Sequence, residues 1–175
     1  MKLRNFKEIL PEISTIVLDI DGVLTDGSVI LMPDGEQVRT MNVKDGYALQ
    51  LAVKMGYQLC IISGASGEAL RKRLEFLGIK HIYLSSSNKK EALDDFLKSN
   101  QLSLRNILYM GDDLPDYPVM LEVALPCCPS DAAAEIREIS LYISPLKGGM
   151  GCVRDVIEQV MKVQKKWITP QSYTW

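Results

Sequence analysis

The chain has 175 residues, long enough for a substantial core, and is expected to fold as a single domain over residues 1–175. Its 20 Lys+Arg against 22 Asp+Glu leave a formal net charge of −2, which argues against nucleic acid or an anionic membrane as main partner. No apolar run approaches the ~20 residues of a membrane span, and the opening MKLRNFKEILPE has neither a long apolar core nor a small-residue cleavage site, so a soluble, cytoplasmic protein is expected.

The first element is the apolar run Thr15–Leu18 in TIVLDIDGVLTDG, which reads as a buried strand. Asp19, Asp21 and Asp26 follow it among glycines. Carboxylates this close repel and resist ionisation unless a positive charge sits among them, so the stretch asks for a cation. Next, SVILMPDGEQVRTMNV places two extended arms around PDG, where Pro presets φ and Gly permits φ > 0. A β-hairpin is expected over about residues 28–43, projecting beyond the carboxyl end of the first strand.

Short apolar runs then alternate with helix-period segments. DGYALQLAVKMG precedes YQLCII, and GEALRKRLEFLG precedes HIYL. In the second of these helices Leu70, Leu74 and Leu77 share a face, and Gly78 is a plausible stop. NKKEALDDFLKSN follows, with Asn88 as cap and Ala92, Leu93, Phe96 and Leu97 inward. After the strand NILYM come the helix LPDYPVMLEV, the strand EVALPCC, the helix SDAAAEIREIS and the strand LYIS. GCVRDVIEQVMKVQKKW reads as a last helix with Val153, Val156, Ile157, Val160 and Met161 inward. Pro170 bars its continuation, leaving a tail over 168–175 whose Tyr173 and Trp175 are either disordered or anchored on another surface. Strand and helix in strict alternation mean an α/β, doubly wound parallel sheet.

Cys60, Cys127, Cys128 and Cys152 form no CxxC pair and have no nearby histidine, so zinc is poorly supported and buried thiols are expected over disulfides. His81 is the only histidine and lies beside an apolar run. Chemistry must therefore rest on carboxylates and lysines.

In open α/β sheets ligands bind at the carboxyl ends of the strands. The first strand delivers Asp19 and Asp21 there, and CII delivers Ser63 and Gly64. SSSNKK follows IYL, and GDDLPD follows NILYM. Each signal alone is a common loop, but all four in this order on this architecture are specific.

LDIDGVLTDG, IISG, NKK and GDDLPD resemble the four motifs of the haloacid dehalogenase-like phosphatases. The gaps between them leave no room for a cap domain. NVKDG after the hairpin, GDDLPDYPVM and GGMGCVRDV are similar to the capless branch that hydrolyses 3-deoxy-D-manno-octulosonate (KDO) 8-phosphate in lipopolysaccharide precursor biosynthesis. The similarity covers roughly residues 12–167. It implies a Rossmann-like fold and a Mg²⁺ cofactor, a hard cation suited to oxygen ligands, held by Asp19, Asp112 and the Asp21 main-chain carbonyl, with Asp113 binding through water or orienting its neighbours. It also implies Asp19 as nucleophile forming an aspartyl-phosphate, Asp21 as general acid and base, and Ser63 with backbone N–H groups near Gly64 on the phosphoryl oxygens. Lys89, favoured over Lys90, would neutralise developing charge. Substrate contacts are implied for Asp21, Asn42, Val43, Lys44, Asp45, Gly46, Gly64, Arg73 and Lys89. The loop 147–151, KGGMG, would allow close backbone approach.

Ala65 departs from the pattern: many members carry arginine directly after the motif-two glycine. The departure leaves a nine-carbon ulosonate 9-phosphate as an alternative substrate. A phosphoacceptor signalling domain is the rival from another class; it lacks the second acid two residues after a first-strand nucleophile. The apolar arm Val29, Ile30, Leu31 and Met32 needs a partner surface, because a lone hairpin is marginal in water. With the resemblance, this implies a homotetramer in which one chain's hairpin covers the next chain's site.

Overall fold

The computed structural model describes residues 5–174. A short helix α1 (Phe6–Ile9) precedes β1 (Thr15–Leu18), and the hairpin strands β2 (Ile30–Leu31) and β3 (Gln37–Val38) follow it. Then come α2 (Val43–Lys54), β4 (Gln58–Ile62), α3 (Glu68–Phe76), β5 (His81–Tyr83) and α4 (Lys89–Asn100). The second half runs β6 (Ile107–Met110), α5 (Tyr117–Met120), β7 (Leu125–Cys128), α6 (Ala134–Ile139), β8 (Tyr142–Ile143) and α7 (Cys152–Val163).

The main sheet has six strands in the order β5-β4-β1-β6-β7-β8, every neighbouring pair parallel. Its strands read as unbroken apolar runs because helices cover both faces. In β1, Ile16 and Leu18 join one core with α2 and α7, while Val17 points to the opposite core with α4, α5 and α6. This is the expected doubly wound architecture, and between β1 and β4 the chain holds only the hairpin and α2.

Asn88 caps α4 as expected, its side chain accepting from the Lys90 and Glu91 N–H groups. Three boundaries differ. The hairpin ends before Asn42, because Asn42 accepts from the Lys44 N–H and caps α2, so Val43 is helical. The hairpin ladder is only Ile30 with Val38 and Leu31 with Gln37, leaving Val29, Ile30, Leu31, Met32 and Val38 exposed. The segment expected as a helix over LPDYPVMLEV is a 3₁₀ turn, Leu114–Asp116, running into the one-turn α5.

Helix α7 ends at Val163, short of the expected Trp167. Lys165 takes a left-handed φ of 58°. The Lys166 N–H donates to the Met161 carbonyl at 2.7 Å and the Lys165 N–H to Lys162 at 3.0 Å, the paired bonds of a Schellman stop. Trp167 then buries beneath the Arg154 guanidinium, 5.1 Å from the ring centroid. Through residue 174 the tail folds back onto α2: Lys54 Nζ donates to the Thr174 carbonyl at 3.0 Å, and the Tyr47 hydroxyl to that of Ser172. Tyr173 stays exposed, and Trp175 lies outside the described residues.

All four cysteines are free and buried. His81 packs at a tilt against the Phe96 ring, with centroids 4.9 Å apart, a structural placement. Among the described residues no helix is long and apolar enough to cross a membrane.

Candidate active site

The chain leaves β1 for β4 on one side and returns to β6 on the other, so β1 and β6 flank the point where the strand order reverses. Leu18 pairs with Met110 there, and the Asp19 N–H donates to the Met110 carbonyl at 3.1 Å. Side chains following these two strands therefore converge at a crevice. Gly22 makes the convergence possible: its φ is +80°, and a Cβ on it would stand 1.9 Å from an Asp112 carboxylate oxygen. The KGGMG loop packs behind, with the Gly149 N–H donating to the Val23 carbonyl at 2.9 Å. A Cβ at Gly148 would stand 2.0 Å from the Gly22 carbonyl oxygen, the close approach expected of that loop.

A cavity of about 430 Å³ at this point is lined by Asp19, Asp21, Ser63, Gly64, Lys89, Asp112 and Asp113. All four motifs thus meet in one place. Lys89 Nζ lies 2.6 Å from Asp19 Oδ2 and 2.7 Å from Asp116 Oδ1. The other Asp19 oxygen accepts from the Ile20 N–H at 2.7 Å. Ser63 is buried, and its hydroxyl oxygen accepts from the Ala65 N–H at 3.2 Å, which fixes its loop.

Burial and then Asp116 push the Asp19 carboxyl above its ordinary range, while Lys89 and Ser63 pull it down. Burial opposes the Lys89 charge, yet Asp116 and Asp19 together hold it above its ordinary value, so it is an ammonium. Burial, with Asp19 and Asp116 next, pushes Asp112 up to about 7. One ammonium among these carboxylates leaves an excess of negative charge, and a cation would relieve it.

Asp19, Asp112 and Asp116 each offer an oxygen within 4.8 Å of the others. Asp116 is already engaged: it accepts from Lys89, from the Tyr109 hydroxyl at 2.6 Å and from the Asp112 N–H at 3.1 Å. Asp19 and Asp112 are the carboxylates left to face an ion, and an all-oxygen set fits a hard divalent cation such as Mg²⁺. Asp113 lines the same cavity but is exposed and is not one of the three clustered carboxylates; its Oδ1 accepts from the Leu114 N–H and caps the 3₁₀ turn. Asp26 is likewise exposed and accepts from the Ser28 N–H at 2.9 Å.

The residues expected to touch the rest of the substrate do not line this cavity. Asn42 caps α2 and donates from Nδ2 to the Gly149 carbonyl at 3.2 Å. Asp45 is buried and accepts from the Arg154 N–H at 2.7 Å, a carboxylate at the start of α7 where the helix dipole favours it. Val43 and Lys44 are exposed on an outer groove with Leu146 and Met150. Gly46 is buried beneath the Arg73 guanidinium, and Arg73 lines a second cavity beside the hairpin.

Three residues of the site escaped sequence reasoning. Asp116 orients Lys89, and Tyr109 in β6 orients Asp116. The only available signal was a further acid four residues beyond Asp112, in a position that also suits a helix start. Arg39 donates from Nε to Asp21 Oδ1 at 2.6 Å and from Nη2 to Oδ2 at 3.0 Å. Nothing in the sequence joins these two residues, because the hairpin fold brings them together.

No family model matches the chain. The 3-deoxy-D-manno-octulosonate 8-phosphate phosphatase of Escherichia coli strain K12 is 36% identical over 154 residues, 88% of this chain and 82% of that protein. The crystal structure of the Yersinia pestis phosphatase of that name superposes with a TM-score of 0.90 at 32% identity, covering 93% of this chain and 88% of that one. The Moraxella catarrhalis phosphatase, crystallised with magnesium ion, phosphate ion and KDO, gives a TM-score of 0.88 at 32% identity and covers 92% of both chains.

Proposed function

The chain belongs to the 3-deoxy-D-manno-octulosonate 8-phosphate phosphatase family of haloacid dehalogenase-like hydrolases, and from that premise we propose that it hydrolyses this eight-carbon sugar-acid phosphate in a Mg²⁺-dependent reaction. The observation that carries the reading is the buried Asp19–Lys89 pair, with Asp21, Ser63 and Asp112 in the same cavity.

Lys89 keeps Asp19 aimed and stabilises its charge. The Asp19 carboxylate attacks phosphorus, forming its O–P bond as the bond to the sugar oxygen breaks. Asp21 gives a proton to the departing oxygen, then takes one from the water that hydrolyses the aspartyl-phosphate and frees Asp19. Ser63 and the backbone around Gly64 hold phosphoryl oxygens, while Lys89 balances their charge. Mg²⁺, held by the Asp19 and Asp112 carboxylates and the Asp21 main-chain carbonyl, would supply the remaining positive charge against the phosphoryl group.

A homotetramer completes this account. The exposed apolar hairpin supports it, and an adjoining subunit would bring a covering surface to a site that no cap closes. Contacts to the sugar acid from the exposed Val43 and Lys44 belong to that assembled state. The cytoplasm is the compartment we assign, consistent with free buried thiols and lipopolysaccharide precursor synthesis.

Ala65, buried where many members carry arginine, favours one second reading: a nine-carbon ulosonate 9-phosphate as substrate. Steady-state phosphate release from a panel containing both ulosonate phosphates and neutral sugar phosphates tests the choice. The eight-carbon substrate should show the highest kcat/KM; preference for a neutral sugar phosphate would refute an ulosonate phosphatase.

A further inference from the structure

Beside the Asp19 cavity lies a second one of about 380 Å³, between the hairpin and α3. Its wall combines apolar Val38, Met41 and Leu70 with two guanidinium groups, Arg39 and Arg73. Arg39 stands at the boundary between the two cavities. Its side chain is 6% exposed, and its fork holds both oxygens of Asp21, which lines the catalytic cavity. Gln37 fixes the other edge: Nη1 donates to the Gln37 carbonyl and Nη2 to its side-chain oxygen, each at 3.1 Å. A planar guanidinium held in this way is matched to a carboxylate, and here the carboxylate it holds is the acid/base itself.

We propose that Arg39 determines specificity by reading the substrate's carboxylate. The proposal rests on the ulosonate phosphate reading, in which phosphate and carboxylate lie at opposite ends of one carbon chain. With the phosphoryl group at Asp19, the sugar runs past Asp21 into the second cavity, and its carboxylate takes over the Arg39 fork. One carboxylate replaces another on the same guanidinium, so charge-assisted hydrogen bonds are exchanged rather than lost. Asp21 is then free to face the leaving oxygen. A neutral sugar phosphate brings no replacement and leaves Asp21 engaged. Ala65 supplies no guanidinium to the site, which leaves Arg39 and Arg73 as the cations of this wall.

A plain brace between hairpin and catalytic loop would look the same at rest, so the test must separate the two. Arg39→Gln and Arg39→Lys are assayed on octulosonate 8-phosphate and on p-nitrophenyl phosphate, which has no carboxylate. Binding of phosphate-free octulosonate is measured by calorimetry. The ratio of kcat/KM for the ulosonate phosphate to that for the aryl phosphate should fall roughly 10- to 100-fold in Arg39→Gln, as expected for a charge-assisted bond, and less in Arg39→Lys. Octulosonate binding should weaken in parallel. Equal losses on both substrates, or unchanged octulosonate binding, would overturn the proposal while leaving ulosonate phosphatase activity intact in the wild type. Wild-type hydrolysis of the aryl phosphate with none of any ulosonate phosphate would refute the substrate reading, and this role of Arg39 with it.

Discussion

Lys89 Nζ donates to the Asp19 carboxylate across 2.6 Å, with the two side chains only 7% and 8% exposed. Removing one partner of a buried pair leaves the other charge uncompensated, which is costly in stability. Lys89→Met should therefore lower the melting temperature of the metal-free protein and reduce kcat by about 10²–10³-fold, the scale of losing one donor to a developing anion. Thermal unfolding and steady-state phosphate release measure the two effects. Undiminished turnover would contradict the role given to Lys89.

Tyr109 supports that pair from behind, through its 2.6 Å hydrogen bond to Asp116. Tyr109→Phe keeps the ring and removes only this donor, so it should destabilise by roughly 1–3 kcal/mol. Denaturant unfolding checks the value. Asp116→Ala should cost more, because it also strips Lys89 of a partner within the buried network.

Asp112 makes stability depend on pH and on metal together. Its carboxyl ionises near 3.8 in an unfolded chain but is raised to about 7 by burial and by Asp19 and Asp116 in the folded one. The folded state therefore binds more protons across this window, and metal-free stability should fall as pH rises from about 4 to 7. Thermal unfolding in EDTA should show that fall, and Mg²⁺ should raise the melting temperature more at pH 7.5 than at pH 5. Asp112→Asn should flatten the dependence in EDTA. An equal Mg²⁺ effect at both pH values would contradict this assignment.

The hairpin gives a prediction about assembly. Leu31 is 75% exposed and Ile30 is 56% exposed at its tip. Replacing residues 29–41 with a short Gly linker should give smaller assemblies and poor sugar-phosphate turnover, with the α/β core still folded. Light scattering beside circular dichroism measures this. A fully active wild-type monomer at assay concentration would refute the tetramer.

Much of this architecture is legible in the sequence because its physics is local. β1, β4 and β6 are buried on both faces and read as apolar runs, and Asn88 sits at a cap whose partners are two and three residues away. The same locality brings Asp19, Ser63, Lys89 and Asp112 together, since each follows a strand end in one sheet. Where the fold depends on distant pairing, the sequence is silent. Arg39 reaches Asp21 only after the hairpin turns back, and Asp45 meets the Arg154 N–H at the start of α7 only once two helices distant in sequence pack together. The end of α7 was hidden for a different reason: Lys165 takes the left-handed position that glycine usually marks.

Transfer of the phosphoryl group to Asp19 is the central chemical claim, and mass spectrometry of acid-quenched enzyme tests it most directly. Wild type and Asp21→Asn, mixed with Mg²⁺ and octulosonate 8-phosphate and quenched within the first turnover, should carry phosphate on the peptide containing Asp19. The Asp21→Asn variant should both acquire and lose it more slowly, because one group serves as acid for the leaving oxygen and base for the attacking water. Continued phosphate release from an Asp19→Asn variant, or a phosphoryl group on any other residue, would contradict the account.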